Sequence, residues 1–323
     1  MAGSDGRSDS ALGFSILGRR FEARGVPPAM VEWLRSAWHF PEHDSHAPAS
    51  DDGILLYMAD VPPDDVRHDR GGSDDMKPSV SDALAIIAPG WRGADDVWET
   101  GTRAAGVRLT FAPRGARIHA WAVNGESTPV ELTAALHVAL CEALRASGLL
   151  PLHAAVALRD GRATAFVASS GTGKSTTLMH AVRAGWHPIA EDFSWLDPET
   201  LVVYGWDRGI RLWPEGHALI GDAAGDGWRM GVDGKLFLDY AVLGAGAACR
   251  SGMLSRLALL VRDGSGAPGW EPLAAREAVR ALWEATGVPL SPRIRERVAR
   301  QMPGLLARVE TRRLRLGDTP LCL

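Results

Sequence analysis

The stretch Ala165-Phe166-Val167-Ala168-Ser169-Ser170-Gly171-Thr172-Gly173-Lys174-Ser175-Thr176-Thr177 decides how the rest of the chain is read. It has the form of a strand end, a glycine turn and a helix start. The turn matches the phosphate-binding pattern G-x-x-x-x-G-K-[ST] at every fixed position but the first, where Ala168 stands for glycine. Gly171 and Gly173 let the backbone curl so that successive N–H groups face phosphate oxygens. The helix starting near Lys174 adds its positive N-terminal end. Ser170, Gly171, Thr172, Gly173, Lys174, Ser175 and Thr176 are thus expected to hold the phosphates of ATP. Lys174 would reach the β- and γ-phosphates, and the Ser175 hydroxyl would ligate Mg²⁺. Alanine fits at 168 if φ there is negative. The apolar run Ala163 to Val167 suits a buried parallel strand. Thr176 to Ala184 suits a helix closing at Gly185.

A chain of 323 residues has room for two domains, and 46% hydrophobic residues allow a sizeable core. Thirty-five basic against 39 acidic residues give a net charge of −4, which excludes an electrostatic case for nucleic acid. Cys141, Cys249 and Cys322 lie far apart with no metal-type spacing and suggest a reducing compartment. Met1 to Ser10 lacks the features of a signal peptide, and no apolar run is long enough to span a bilayer. The expectation is a cytoplasmic protein with no membrane partner. The 12 tryptophans are expected mainly to fill the core, with some lining a groove.

Along the chain, residues 1–10 are expected to be disordered and Phe14 to Phe21 to form a short strand. Pro27 and Pro28 open a helix with Met30, Leu34 and Trp38 on one face. Ile54 to Ala59 reads as a buried strand, and residues 60–79, with their aspartates, as a solvated loop. Ala83 to Ile87, Val107 to Phe111 and Ile118 to Val123 are strand candidates, the last two forming a hairpin about Pro113-Arg114-Gly115. Thr128-Pro129-Val130-Glu131 is a capping box opening a helix with Leu132, Leu136, Leu140 and Leu144 on one stripe. A strand-rich α+β domain over 1–127 and a P-loop α/β domain over 128–323 are expected, the first recognising substrate. The second domain is expected to carry strands at Leu152 to Leu158, Ala163 to Val167, Leu201 to Tyr204, Ile210 to Leu212 and Leu257 to Val261. A loop over 214–234, helices at Ala274 to Ala285 and Pro292 to Gln301, and an edge strand at Arg308 to Leu316 complete it.

Three features near the phosphate loop narrow the chemistry. Glu191-Asp192 ends a short apolar segment one helix later, at the carboxyl edge where ligands gather in α/β sheets. One carboxylate can hold Mg²⁺ or its water, and the other can accept a proton from an attacking hydroxyl. His153 precedes the phosphate-loop strand and, from a neighbouring strand, can hydrogen-bond Asp192. Arg208 or Arg211 can stabilise charge on a transferring phosphoryl group, and Glu215 is a further metal-side carboxylate.

Together, His153, the run Ala168 to Ser175 and the pair Glu191-Asp192 resemble the HPr kinase/phosphorylase family. The likeness covers residues 150–215 well and the N-terminal 125 or so not at all. It implies an HPr kinase-like fold related to phosphoenolpyruvate carboxykinase. It also implies phosphoryl transfer from ATP to a serine hydroxyl of a peptide or protein. Asp192 then matches the proton-accepting aspartate, His153 the histidine beside it, and Glu191 replaces an aspartate. Ala168 departs from the family's glycine, and of its E-I-R-G signature only Gly209-Ile210-Arg211 remains. Stand-alone proteins of this kind resemble kinases that tailor ribosomal peptides such as lasso-peptide precursors. The resembled family forms hexamers, so a homo-oligomer is one expectation. The alternatives are a small-molecule kinase and a nucleotide-binding regulator without transfer.

Overall fold

The computed structural model describes residues 12–38, 53–59, 63, 90–123, 130–220, 227–231, 233–243, 250–262 and 268–317. Two compact units emerge: Met1–Gly148 with Val288–Glu296, and Leu149–Gly287 with Arg297–Leu323. No described helix is long and apolar enough to cross a membrane.

The first unit is built on a seven-stranded sheet ordered β1-β2-β3-β7-β6-β5-β4. The strands are β1 Leu12–Ile16, β2 Arg19–Arg24, β3 Gly53–Ala59, β4 Arg92–Ala94, β5 Val97–Gly101, β6 Ala105–Ala112 and β7 Gly115–Ala122. Helix α1, Pro28–Trp38, buries Met30 and Leu34, as the spacing of four requires. The strand expected over Phe14 to Phe21 is instead a hairpin. Leu17 and Gly18 both take positive φ, 51° and 72°, and turn the chain between β1 and β2. Gly18 suits such a turn, whereas a leucine at positive φ gives no hint of it. The hairpin about Pro113-Arg114 forms as expected, with Ala112 opposite Gly115.

Helix α2, Val130–Ala146, buries Leu132, Leu136, Leu140 and Leu144 and packs on β6 and β7. It therefore counts with the first unit, whereas a boundary at 127/128 would give it to the second. Residues 288–296 join this unit through polar ties. Buried Glu142 accepts the Leu290 N–H at 2.9 Å, and Arg293 donates to the Ala112 carbonyl at 3.2 Å. The candidate strand at 83–87, the aspartates of 60–75 and the capping box at 128 lie outside the described residues.

The second unit is a mixed α/β structure. Its strands are β8 Leu150–Leu152, β9 Ala154–Arg159, β10 Arg162–Val167, β11 His187–Ala190, β12 Ser194–Leu196, β13 Val202–Gly205, β14 Gly209–Leu212, β15 Arg229–Met230, β16 Leu236–Asp239, β17 Ser251–Val261, β18 Gly269–Pro272 and β19 Glu310–Arg315. Its helices are α3 Lys174–Arg183, α4 Pro214–Ile220 and α5 Ala275–Thr286, with the later residues of α6, Pro292–Leu306. The main sheet runs β11-β9-β10-β17-β13-β12-β8, and β14-β16-β15 form a separate small sheet. The 11-residue β17 is the spine: β10 lies parallel along it, while β13 and then β19 pair with it at successive positions. Phe166, Leu178, Met179, Trp186 and Leu260 belong to one buried cluster that seats α3 on this sheet.

Several expectations change here. β19 is no edge strand, because it pairs with both β17 and β18. The span 214–234 is not loop throughout, since it holds α4 and β15. The strand expected over Leu152 to Leu158 breaks at His153: β8 pairs with β12, while β9 pairs with β10 and β11. Trp98, Trp121, Trp186, Trp195 and Trp206 are buried, in line with a core role, while Trp213 is exposed.

Candidate active site

Strand register brings three chain segments to one edge. Val167, the last residue of β10, lies opposite Ala154, the first of β9, so His153 and the glycine turn after β10 start side by side. β11 is antiparallel to β9, which is antiparallel to β10; β11 and β10 therefore point the same way. Glu191-Asp192, just past the end of β11, arrive at that edge too. The His153 N–H donates to the Ala285 carbonyl at 2.9 Å, which fixes the kink between β8 and β9.

The glycine turn before α3 has the backbone the sequence requires. Gly171 and Gly173 adopt φ of 78° and 117°, conformations that cost a residue with a Cβ. Among the described residues, the non-glycine positions with positive φ are Leu17, Asp95, Asp160 and Leu201. Ala168 is not one of them, so its methyl group brings no backbone strain. Its carbonyl instead accepts a hydrogen bond from Lys174 Nζ at 3.1 Å. Ser170 and Gly171 are exposed, and Thr172, Gly173, Ser175 and Thr176 are half-buried.

Lys174, His153 and Asp192 form a chain of polar contacts. Lys174 Nζ lies 3.0 Å from His153 Nε2, and His153 Nδ1 lies 3.3 Å from Asp192 Oδ1. An ammonium can only donate, so Nε2 accepts and the ring proton sits on Nδ1, pointing at Asp192. Lys174 Nζ is 4.0 Å from the same Asp192 oxygen. Burial holds the His153 pKa below its ordinary value; Asp192 opposes that shift and Lys174 adds to it. A neutral imidazole agrees with the hydrogen-bond assignment. Burial likewise lowers the Lys174 pKa, against the pull of Asp192 and Glu191. The Lys174 side chain is only 7% exposed, whereas Asp192 is 47% exposed and open to an incoming group.

Glu191 is buried, and Ser175 Oγ donates to its Oε1. Burial pushes the Glu191 carboxyl up to about 7, with Ser175 acting against the shift. Ser175 and Glu191 are oxygen donors of the kind Mg²⁺ takes, alongside waters and phosphate oxygens. Glu215 lies exposed in the first turn of α4. Among the described residues no contact ties it to that pair, and no three His, Cys, Asp or Glu side chains are grouped to hold a metal ion. Arg211 stacks its guanidinium over Phe237, 5.7 Å from the ring centre, in the small sheet.

Asp207 is the residue that sequence reasoning missed. Its Oδ2 accepts the backbone N–H groups of Glu191, Asp192 and Phe193 at 2.9, 2.7 and 2.8 Å. One carboxylate thus clamps the turn that presents the acidic pair. Burial raises the Asp207 pKa, and these three hydrogen bonds oppose the rise. Gly205 makes the approach possible, because a Cβ there would collide with the Ile189 carbonyl. Asp207→Ala is expected to leave three N–H groups without this acceptor and to cost about 2–3 kcal/mol. Thermal or urea unfolding of the variant checks this. The only sequence signal was an acidic residue next to Trp206 in a turn, which nothing linked to position 191.

No family model matches the chain, and no curated protein does. Among solved structures, the Hpr(Ser) kinase/phosphatase from Coxiella burnetii is similar at 11% identity, covering 52% of this chain and 85% of that one, with a TM-score of 0.28. A score of that size does not show a shared fold.

Proposed function

We propose that this chain is an ATP- and Mg²⁺-dependent phosphotransferase that acts on the serine hydroxyl of a peptide or protein. The observation that carries the proposal is the convergence of Lys174, His153 and Asp192 beside a glycine turn of the phosphate-binding type. In this reading the loop and Lys174 hold the triphosphate, and Ser175 with Glu191 holds the metal ion. Bound there, Mg²⁺ supplies charge neutralisation on the phosphates.

The acceptor oxygen attacks the γ-phosphorus. A new O–P bond forms as the bond to the β,γ-bridging oxygen breaks, and ADP leaves with that electron pair. The acceptor's proton goes to Asp192, whose exposure gives an acceptor access. His153 orients Asp192 through the Nδ1 proton and so acts as a positioning residue. Most of the catalytic effect comes from placement and fixed charge rather than from covalent chemistry.

The resemblance noted from the sequence favours serine over a metabolite hydroxyl. Incubating the protein with γ-labelled ATP and Mg²⁺, with serine-containing peptides in one arm and hydroxylated metabolites in the other, tests this. Label in peptide supports the proposal, label only in a metabolite removes the peptide acceptor, and label in neither removes phosphoryl transfer.

A further inference from the structure

β17 lies parallel to β10, with Leu259 opposite Val167. The chain leaving β17 at Arg262 therefore emerges at the same edge as the chain leaving β10 for the phosphate loop. Arg262 reaches that loop. A Cβ placed on Gly173 would stand 3.7 Å from Arg262 Nη2 and 3.3 Å from Leu316 Cδ1. The guanidinium is thus set against the residue that caps α3.

Four other arginines of this sheet have carboxylate partners. Arg256 and Arg312 pair with Glu310, Arg313 with Glu277, and Arg315 with Glu271. Arg262 is exposed and, among the described residues, has no such partner. An arginine fork is matched to non-bridging phosphate oxygens, which it can bind through two parallel hydrogen bonds.

The site has a matching need. A nucleoside triphosphate would bring several negative charges to a pocket that already holds the Asp192 carboxylate, against the ammonium of Lys174 and that of Lys235, whose charge also acts on Lys174 and Glu191. Arg211, an arginine the sequence offered for this task, is engaged with Phe237.

We propose that Arg262 is a polyphosphate-binding residue, donating to phosphate oxygens of the nucleotide cradled by the loop and serving as a further cation beside Lys174. This rests on the nucleotide-binding reading above and adds a residue to it.

The test is fluorescence anisotropy of mant-ATP with the full chain, comparing wild type, Arg262→Gln and Arg262→Lys. Loss of charged hydrogen bonds predicts an affinity about 10- to 100-fold weaker for R262Q, with R262K in between. The melting temperature should stay unchanged, since the side chain is exposed. Wild-type binding with equal affinity in R262Q would overturn the role of Arg262 and leave the phosphate loop standing. An affinity loss that tracks a lowered melting temperature would also overturn it, as a structural effect. No binding by folded wild type would overturn both readings.

Discussion

Asp192→Asn is expected to reduce phosphoryl transfer by about 10²- to 10⁴-fold, the usual worth of a positioned general base, while nucleotide affinity changes little. Asparagine keeps the shape and an oxygen able to accept the His153 Nδ1 proton, so the 3.3 Å contact can survive. It cannot take a proton from an attacking hydroxyl. The substitution also removes a negative charge that supports the protonated forms of both His153 and Lys174. The His153 pKa should therefore fall further below its ordinary value. Single-turnover transfer assays with mant-ATP binding in parallel check the rate and affinity. An unchanged rate would sink Asp192 as the base.

Much of the site was legible because its signals are local. Lys174, Ser175 and the two glycines sit within five consecutive residues, so one short motif names them together. The positive φ at Gly171 and Gly173 is the backbone such a turn demands. Asp192 was legible at one remove, since the apolar run before it marks a strand end; His153 was singled out inside an expected strand, Leu152 to Leu158, that breaks at that residue. What the sequence withheld is pairing. His153 meets the loop only because β9 is antiparallel to β10 in the register that sets Ala154 opposite Val167. Asp207 and Arg262 act across strand order, from the turn after β13 and the end of β17, so no local pattern announces them. The fold shows the same divide. Leucine stripes foretold α2, but a leucine at positive φ hid the hairpin at Leu17-Gly18, and the alternating run of β19 read as an edge although the strand lies between β17 and β18.

Lys174→Met should abolish nucleotide binding and lower transfer by about 10²- to 10³-fold or more, as loss of a preorganised charge does, yet leave the protein as stable or more so. The side chain is 7% exposed, so its ammonium sits in a costly place. Its contacts are the Ala168 carbonyl, the His153 ring and, at 4.0 Å, Asp192. Methionine fills about the same space without a charge to desolvate, so the cost of burying the ammonium is removed. Asp192 is not stranded by the change, because at 47% exposure it remains solvated. The sign of a second effect separates this variant from D192N. Lys174 pushes the His153 pKa down and Asp192 pulls it up. Removing the lysine should raise the His153 titration, and removing the aspartate's charge should lower it. An NMR titration of the imidazole in the two variants reads both directions. Shifts of the same sign would mean that the three side chains do not form one electrostatic unit. A large drop in melting temperature for K174M would mean that the lysine is buried to hold the fold rather than to grip phosphate.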